Sequence, residues 1–199
     1  MAFQLGNRNS KWDYACRLSL ALSYLTISQG DSVGLICISQ KVESEIPPRA
    51  AFPHLELLDS SLSDTIPDHK SLASLALPLA AARIKRRSLV IFITDLMGKT
   101  EDFLHGISAL KTGRNEVVVF QVLDPQERDF NFSPPSTFKD METGEEIAVD
   151  SQDFKFLYKN EFDNQIRLYQ SAFHQNEIAY RLFFNDNPLE ESLGNFLER

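Results

Sequence analysis

Apolar positions along the chain fall into two spacings, and the two alternate. Short unbroken runs are one kind. In SLVIFITDLMG (88–98), Leu89 to Ile93 are apolar without a break, and Thr94 and Asp95 close the run. Val33–Ser39 (VGLICIS), Asn115–Leu123 (NEVVVFQVL) and Ile178–Phe184 (IAYRLFF) have the same character. Runs this short and rich in branched side chains read as strands covered on both faces. Val42–Ile46 carries Glu43 and Glu45 on alternate positions, which suits an edge strand, with Pro47–Pro48 and Pro53 bounding a loop after it.

Between these runs apolar residues recur every three or four positions. Ser10, with Asp13 three residues on, opens a helix to about Gln29, and Gly30 suits the left-handed residue that ends it. Further helices are predicted over His54–Ser63, Ser71–Arg87 (with Pro78 inside and Lys85-Arg86-Arg87 at its carboxyl end), Thr100–Lys111, 150–175 and Leu189–Leu197. In the 150–175 helix the apolar set is Phe154, Leu157, Tyr158, Ile166, Tyr169 and Phe173. Thr65–Lys70 and Gln126–Pro135 read as loops. Thr137–Glu142 and Glu145–Val149 read as a small hairpin turning at Thr143-Gly144. Strands alternating with helices of this length predict an α/β fold: an open, mostly parallel sheet flanked by helices, Rossmann-like, in one domain over residues 1–199.

Composition narrows the function classes. With 43% hydrophobic residues, including fifteen Phe, the chain can build a substantial core. The formal net charge of −8 is uneven: residues 1–99 carry 11 basic and 9 acidic groups (+2), residues 100–199 carry 9 and 19 (−10). A nucleic-acid binder needs a basic stripe, so that class is disfavoured, whereas an acidic half suits a solvated face or a basic protein partner. No apolar run approaches the roughly 20 residues of a membrane span. Cys16 and Cys37 sit in apolar patterns with no zinc spacing and read as free thiols of a reduced, cytoplasmic compartment.

In a parallel sheet, ligands sit beyond the carboxyl ends of the strands, which makes Asp95 the best-placed functional group. It is a candidate metal ligand or a cap for the next turn, with Thr94 beside it as a supporting hydroxyl or a local backbone partner. Asp124 also follows a buried strand, where Asp-Pro is a common turn former. His54, His69, His105 and His174 lie in unrelated segments without metal spacing. There is no nucleophile elbow, phosphate-binding Gly-rich loop or dinucleotide fingerprint. Lys85–Arg87 reads as a helix end, and Phe154, Phe156, Tyr158, Phe162 and Tyr169 as core rather than a binding platform.

Five stretches together resemble one family in order and spacing: SKWDYA near the start, QGDSVGL at 29–35, SLVIFITDL at 88–96, NEVVVFQVLDPQE at 115–127 and METGEE at 141–146. It is the bacterial "domain of unknown function 58" family, whose conserved part is similar to a von Willebrand factor type A domain. The resemblance runs from Met1 to about Phe184. It implies a divalent cation, magnesium, at the carboxyl edge of the sheet, held by an Asp-x-Ser-x-Ser run after the first strand, a Thr in a later loop and an Asp after the fourth strand. Here Asp95 matches that last residue. Lys70, with Ser71 beside it, stands where the loop Thr is expected. Met1-Ala2-Phe3 matches only the tail of the Asp-x-Ser-x-Ser run, so the metal site is expected to be degenerate.

The resemblance also implies a strand order of 3-2-1-4-5-6 in which the first, central strand is missing. Val33–Ser39 and Ser88–Thr94 are then expected to flank a gap. The gap would be accounted for by a late-assigned start, by closure of the flanking strands, or by another chain filling the slot. Members of the family that this chain resembles are often encoded with MoxR-type AAA+ ATPases. This implies a non-catalytic protein–protein interaction module that works with such an ATPase in protein assembly or maturation. Lys70, Ser71, Thr94 and Asp95 would lie at the partner surface. The alternatives are a magnesium-dependent hydrolase using Asp95 and Asp124, and a homo-oligomer joined through the open slot.

Overall fold

The computed structural model describes residues 10–66, 73–96, 100–112, 114–129, 136–139, 146–149 and 152–197. Helix α1 (Lys11–Ser28) begins as its sequence requires: the Asp13 N–H donates to Ser10 Oγ at 3.0 Å, and the Ser10 N–H donates to Asp13 Oδ2 at 3.0 Å. Reciprocal capping satisfies two amides that the first turn leaves open. Gly30, at φ 86°, takes the left-handed position beyond the helix end.

Strands β1 (Val33–Ile38) and β2 (Val42–Arg49) form an antiparallel pair. The expected loop at Pro47–Pro48 is instead part of β2, with Val33 opposite Arg49. Prolines are tolerated there because β2 is an edge strand whose outward positions need no N–H donor. Helix α2 (His54–Asp64) buries His54, Leu58 and Leu62, and His54 Nε2 lies 2.9 Å from the Val33 carbonyl oxygen.

Helix α3 (Ala73–Ala81) stops well before the basic run, contrary to the expected end at Arg87. Its last bonds tighten to the i−3 pattern, Arg83 N–H to Ala80 O and Ile84 N–H to Ala81 O, and Ile84 turns in to pack on the core. Two of the basic residues beyond the helix make surface ion pairs, Arg83 with Glu45 and Arg87 with Glu116.

Strand β3 (Leu89–Thr94), helix α4 (Thr100–Lys111) and strand β4 (Glu116–Leu123) follow. Where a polar loop was expected, a short helix α5 (Pro125–Asp129) begins immediately after β4. The expected hairpin is present as β5 (Ser136–Lys139) paired antiparallel with β6 (Glu146–Val149). Helix α6 (Gln152–Gln175), strand β7 (Ala179–Phe184) and helix α7 (Leu189–Leu197) complete the order.

β3, β4 and β7 form a parallel sheet with β4 in the centre. Alternation along β4 sends Val117 and Val119 into one core and Val118, Phe120 and Val122 into the other. The first core is closed by Leu77 of α3, Phe103, Ile107 and Leu110 of α4, and Tyr169 and Phe173 of α6. The second is closed by Tyr14 and Leu18 of α1, Phe183 of β7 and Leu193 of α7, with the Phe120 and Phe183 rings edge-on at 4.9 Å. Each fully buried side chain of this size contributes about 1.5–3 kcal/mol, so β4 is the anchor of both layers. The helix packing of α6 is narrower than its periodicity predicts. Tyr169 and Phe173 are buried, but Leu157, counted in the apolar set, is 64% exposed, and Phe156, expected in the core, is 68% exposed. Both lie in the amino-terminal half of α6, whereas the buried pair sits at its carboxyl-terminal end beside β7.

Two sheets replace the single sheet expected, and they part at the expected gap. β1 pairs with β2 alone and β3 with β4 alone, so among the described residues no strand bonds to the second edge of either β1 or β3. Burial reflects this. β4 is buried at every position but the first, whereas only Cys37 of β1 and only Phe92 and Thr94 of β3 are fully buried.

Candidate functional site

The carboxyl ends of β3 and β4 lie side by side, and the first turn of α1 sits over them. Lys11, the first helical residue, is 2% exposed, and its Nζ lies 2.8 Å from Glu127 Oε1 and 3.3 Å from Asp95 Oδ2. Asp95 follows β3, and Glu127 lies in α5 after β4. Two carboxylates from neighbouring strand ends thus converge on one ammonium. Burial pushes the Asp95 carboxyl up, but neighbouring positive charge, Lys11 included, outweighs it and holds the pKa below the ordinary value.

The backbone carrying Asp95 is held on three sides. Thr94 Oγ1 accepts from the Leu96 N–H at 3.1 Å, so the Thr94 hydroxyl serves its neighbouring backbone. Gln121 of β4, 3% exposed, donates to the Asp95 carbonyl at 3.2 Å and accepts from the Tyr180 hydroxyl. The Tyr169 hydroxyl donates to the Leu96 carbonyl at 2.8 Å. Leu96 itself has φ 51°, an unusual conformation for a branched residue, kept by a side chain buried in the core.

Asp124 has a different task. Its Oδ1 accepts from the Gln126 N–H at 2.9 Å and its Oδ2 from Asn185 Nδ2 at 3.1 Å, while the Asp124 N–H donates to Glu127 Oε2 at 2.7 Å. It is the cap of α5, 1% exposed. The same capping contact orients Glu127 toward Lys11, with one oxygen on each.

The described part of the site does not fit a divalent cation. Magnesium takes about six oxygen ligands at 2.0–2.1 Å. Here the space between Asp95 and Glu127 holds the Lys11 ammonium, the Thr94 hydroxyl is bonded to Leu96, and both Asp124 oxygens are engaged. Among the described residues no group of three or more His, Cys, Asp or Glu could hold a metal ion.

Of the residues singled out from sequence, Thr94 and Asp95 lie at this edge, while Lys70 and Ser71 fall outside the described residues. Cys16 and Cys37 are free thiols as expected, Cys37 buried and Cys16 partly so. Lys11, Gln121, Glu127 and Tyr169 complete the site and were not anticipated. A signal for Glu127 was present: Asp124-Pro125-x-Glu127 is a capping box with proline at the first helical position.

The fold is thus α/β, a three-stranded parallel sheet flanked by helices, with an acidic, lysine-paired carboxyl edge. Residues 2–169 match the family described as "Protein of unknown function DUF58", and the chain belongs to that family. It is similar in fold to the crystal structure of the conserved hypothetical protein BatB from Bacteroides thetaiotaomicron. The TM-score is 0.50 and the identity 17%, over 94% of this chain and 86% of that one. No curated protein matches the chain. Among the described residues no helix is long and apolar enough to cross a membrane.

Proposed function

We propose that this chain is a non-catalytic protein–protein interaction module with a degenerate metal site at the carboxyl edge, working with a MoxR-type AAA+ ATPase in the assembly or maturation of other proteins. The observation that carries this reading is how the two strand-end carboxylates are used. Asp95 is paired with Lys11 and Asp124 is consumed in capping. A magnesium-dependent hydrolase needs carboxylates gathered on one ion and a base or nucleophile beside them, and these two serve separate structural partners. What this edge offers a partner is shape and charge on a rigid frame. The proposed partner surface is the edge that Thr94 and Asp95 close, with Thr94 buried beneath it as support, together with the segments around Lys70 and beyond Ser39.

The test is co-purification with a cognate MoxR-type AAA+ ATPase. Binding that is lost when Asp95 and Lys70 are substituted together supports the reading, and binding indifferent to both substitutions overturns it. A phosphatase screen with and without magnesium addresses the hydrolase directly.

A second reading, a homo-oligomer joined through the slot, is favoured by the unbonded edges of β1 and β3. Both are apolar strands of the kind that is usually covered on both faces. Solution mass by light scattering distinguishes a monomer from an assembly.

A further inference from the structure

In sequence the run Lys85-Arg86-Arg87 reads as a helix end, where cations offset the negative pole of the dipole. In the fold it has no helix to serve. α3 ends at Ala81 with no basic residue in its last turn, and the influence of the dipole fades within that turn. The run instead occupies the exposed segment that enters β3, at the amino edge of the parallel sheet, opposite the edge that carries Asp95. Arg114, also exposed, enters β4 at the same amino edge. β3 and β4 are in register from Leu89–Glu116 onward, so Arg87 and Arg114 stand the same two positions ahead of that pair.

The two entering segments are fastened to each other. The Ser88 N–H donates to Asn115 Oδ1 at 2.9 Å, Asn115 Nδ2 donates to the Leu110 carbonyl at 2.7 Å, and the Glu116 N–H donates to the Ser88 carbonyl at 3.1 Å. Asn115 is buried, so this clasp is internal while the cations lie outside it. The Ser88 hydroxyl donates to the Arg86 carbonyl at 2.9 Å and holds the backbone of the run, and Arg114 is kept at φ 58°, a conformation unfavourable for an arginine. Neighbouring cations are already committed: Arg83 to Glu45, Arg87 to Glu116, and Lys111 to Glu177 and the Asn176 carbonyl. Among the described residues Lys85, Arg86 and Arg114 form no ion pair.

We propose that Lys85, Arg86 and Arg114 form a docking surface for an acidic segment of a partner protein. The charge balance selects that class of partner. Three cations on a fixed frame match a few carboxylates, whereas Glu45, Glu116 and Glu177 sit among the neighbouring ion pairs and the whole chain carries −8, which repels a long polyanion such as a nucleic acid. Leu89, exposed at the start of β3, adds an apolar contact beside the charges. This surface lies at the other end of the strands from Asp95 and does not depend on what the carboxyl edge binds. One chain is thereby equipped to hold two partners at once, one at each edge of the sheet.

The test is a titration of the isotope-labelled chain, followed by amide chemical shifts, with a short peptide of glutamate and leucine. A glutamine–leucine peptide, a single-stranded oligonucleotide and vesicles of phosphatidylcholine with phosphatidylserine are titrated in parallel. The acidic peptide is expected to move amides around 85–89 and 114–116, and to lose that effect as salt rises, because exposed charges are screened. Lys85→Glu/Arg86→Glu is expected to weaken the binding by about tenfold or more. Arg114→Asn removes one charge while tolerating the left-handed backbone, and is expected to weaken it less. All three side chains are exposed, so both variants should keep the wild-type melting temperature. An acidic peptide that leaves these amides unmoved overturns the proposal, as do shifts that persist in both variants. So does a glutamine–leucine peptide that acts equally well, or an oligonucleotide or vesicle that binds this edge more tightly than the acidic peptide.

Discussion

The Tyr169 hydroxyl donates a 2.8 Å hydrogen bond to the carbonyl of Leu96, 73 residues earlier in the chain. It ties the carboxyl-terminal part of α6 to the turn that carries Asp95. Both groups are buried and Leu96 is held at φ 51°, so the bond helps keep a backbone conformation that a leucine does not adopt freely. Tyr169→Phe keeps the ring, which stacks on Phe173 at 6.0 Å, and leaves the Leu96 carbonyl without this donor. The expected cost is about 1–3 kcal/mol, read by urea denaturation. Amides around 94–96 should also exchange faster. A variant with wild-type stability and unchanged exchange at 94–96 would show the bond to be incidental.

Asp95 makes stability depend on acid. Its folded-state pKa lies below the ordinary 3.8 because nearby positive charge outweighs the effect of burial. A carboxyl with a depressed folded pKa contributes stability that is fully present above its unfolded pKa and is lost as pH falls through the folded value. Melting temperature should therefore hold at neutral pH and fall below about pH 4. Asp95→Asn should melt lower than the wild type at neutral pH, and the difference should narrow in acid. A gap that stays constant down to pH 2 would mean that Asp95 acts through its shape rather than its charge.

The parts of this architecture that could be read from sequence are those set by neighbours within a few residues. Ser10 with Asp13 marks the start of α1, Gly30 marks its end, and alternation along β4 separates the two cores. Asp95 could be placed at a strand end for the same reason. Lys11 could not be read as part of the site. Nothing within a turn of it announces a buried ammonium, because Glu127 lies 116 residues away and becomes a partner only when β3 and β4 align in parallel. The exposed Leu157 and Phe156 fail in the opposite direction: periodicity measures which residues share a helix face, and only packing decides whether that face is covered. The expected gap beside β3 followed from counting strands against the family resemblance, which depends on order along the chain and needs no side-chain detail.

Gly34 explains why two prolines fit into β2. A Cβ at this position would lie 2.8 Å from the Ile46 carbonyl oxygen and 3.0 Å from Pro48 Cγ. The first of these is a backbone atom of the opposing strand and cannot swing away. The pairing is also irregular here, slipping between Val33 opposite Arg49 and Leu35 opposite Ile46. Gly34→Ala should therefore cost about 1–3 kcal/mol through forced separation of β1 and β2, measured as a lowered denaturation midpoint. Its effect should stay local, leaving amide protection in β4 and β7 in proportion to the global loss. A neutral or stabilised Gly34→Ala would show that the β1–β2 pair gives way easily.

The free edge of β3 makes the most direct prediction about the sheet. β4 is bonded on both sides, to β3 by six residue pairs from Leu89–Glu116 to Thr94–Gln121 and to β7 from Val118–Ala179 to Leu123–Phe184. β3 is bonded only to β4, so its alternate amides point away from any strand among the described residues. Leu89, at 58% exposed, lies open at the start of that edge. Native-state hydrogen exchange of the isolated chain should then divide β3 in two. Amides directed at β4 should exchange only with global unfolding, while those on the open edge exchange by local opening, faster by orders of magnitude. β4 should be protected throughout. Exchange is more discriminating here than solution mass, because it reports which amides are covered as well as how many chains are present. If the open-edge amides of β3 and the matching edge of β1 become protected together as concentration rises, a second copy lies between them. If they are protected at every concentration, the edge is closed within the chain, and the gap between the two sheets does not exist in solution.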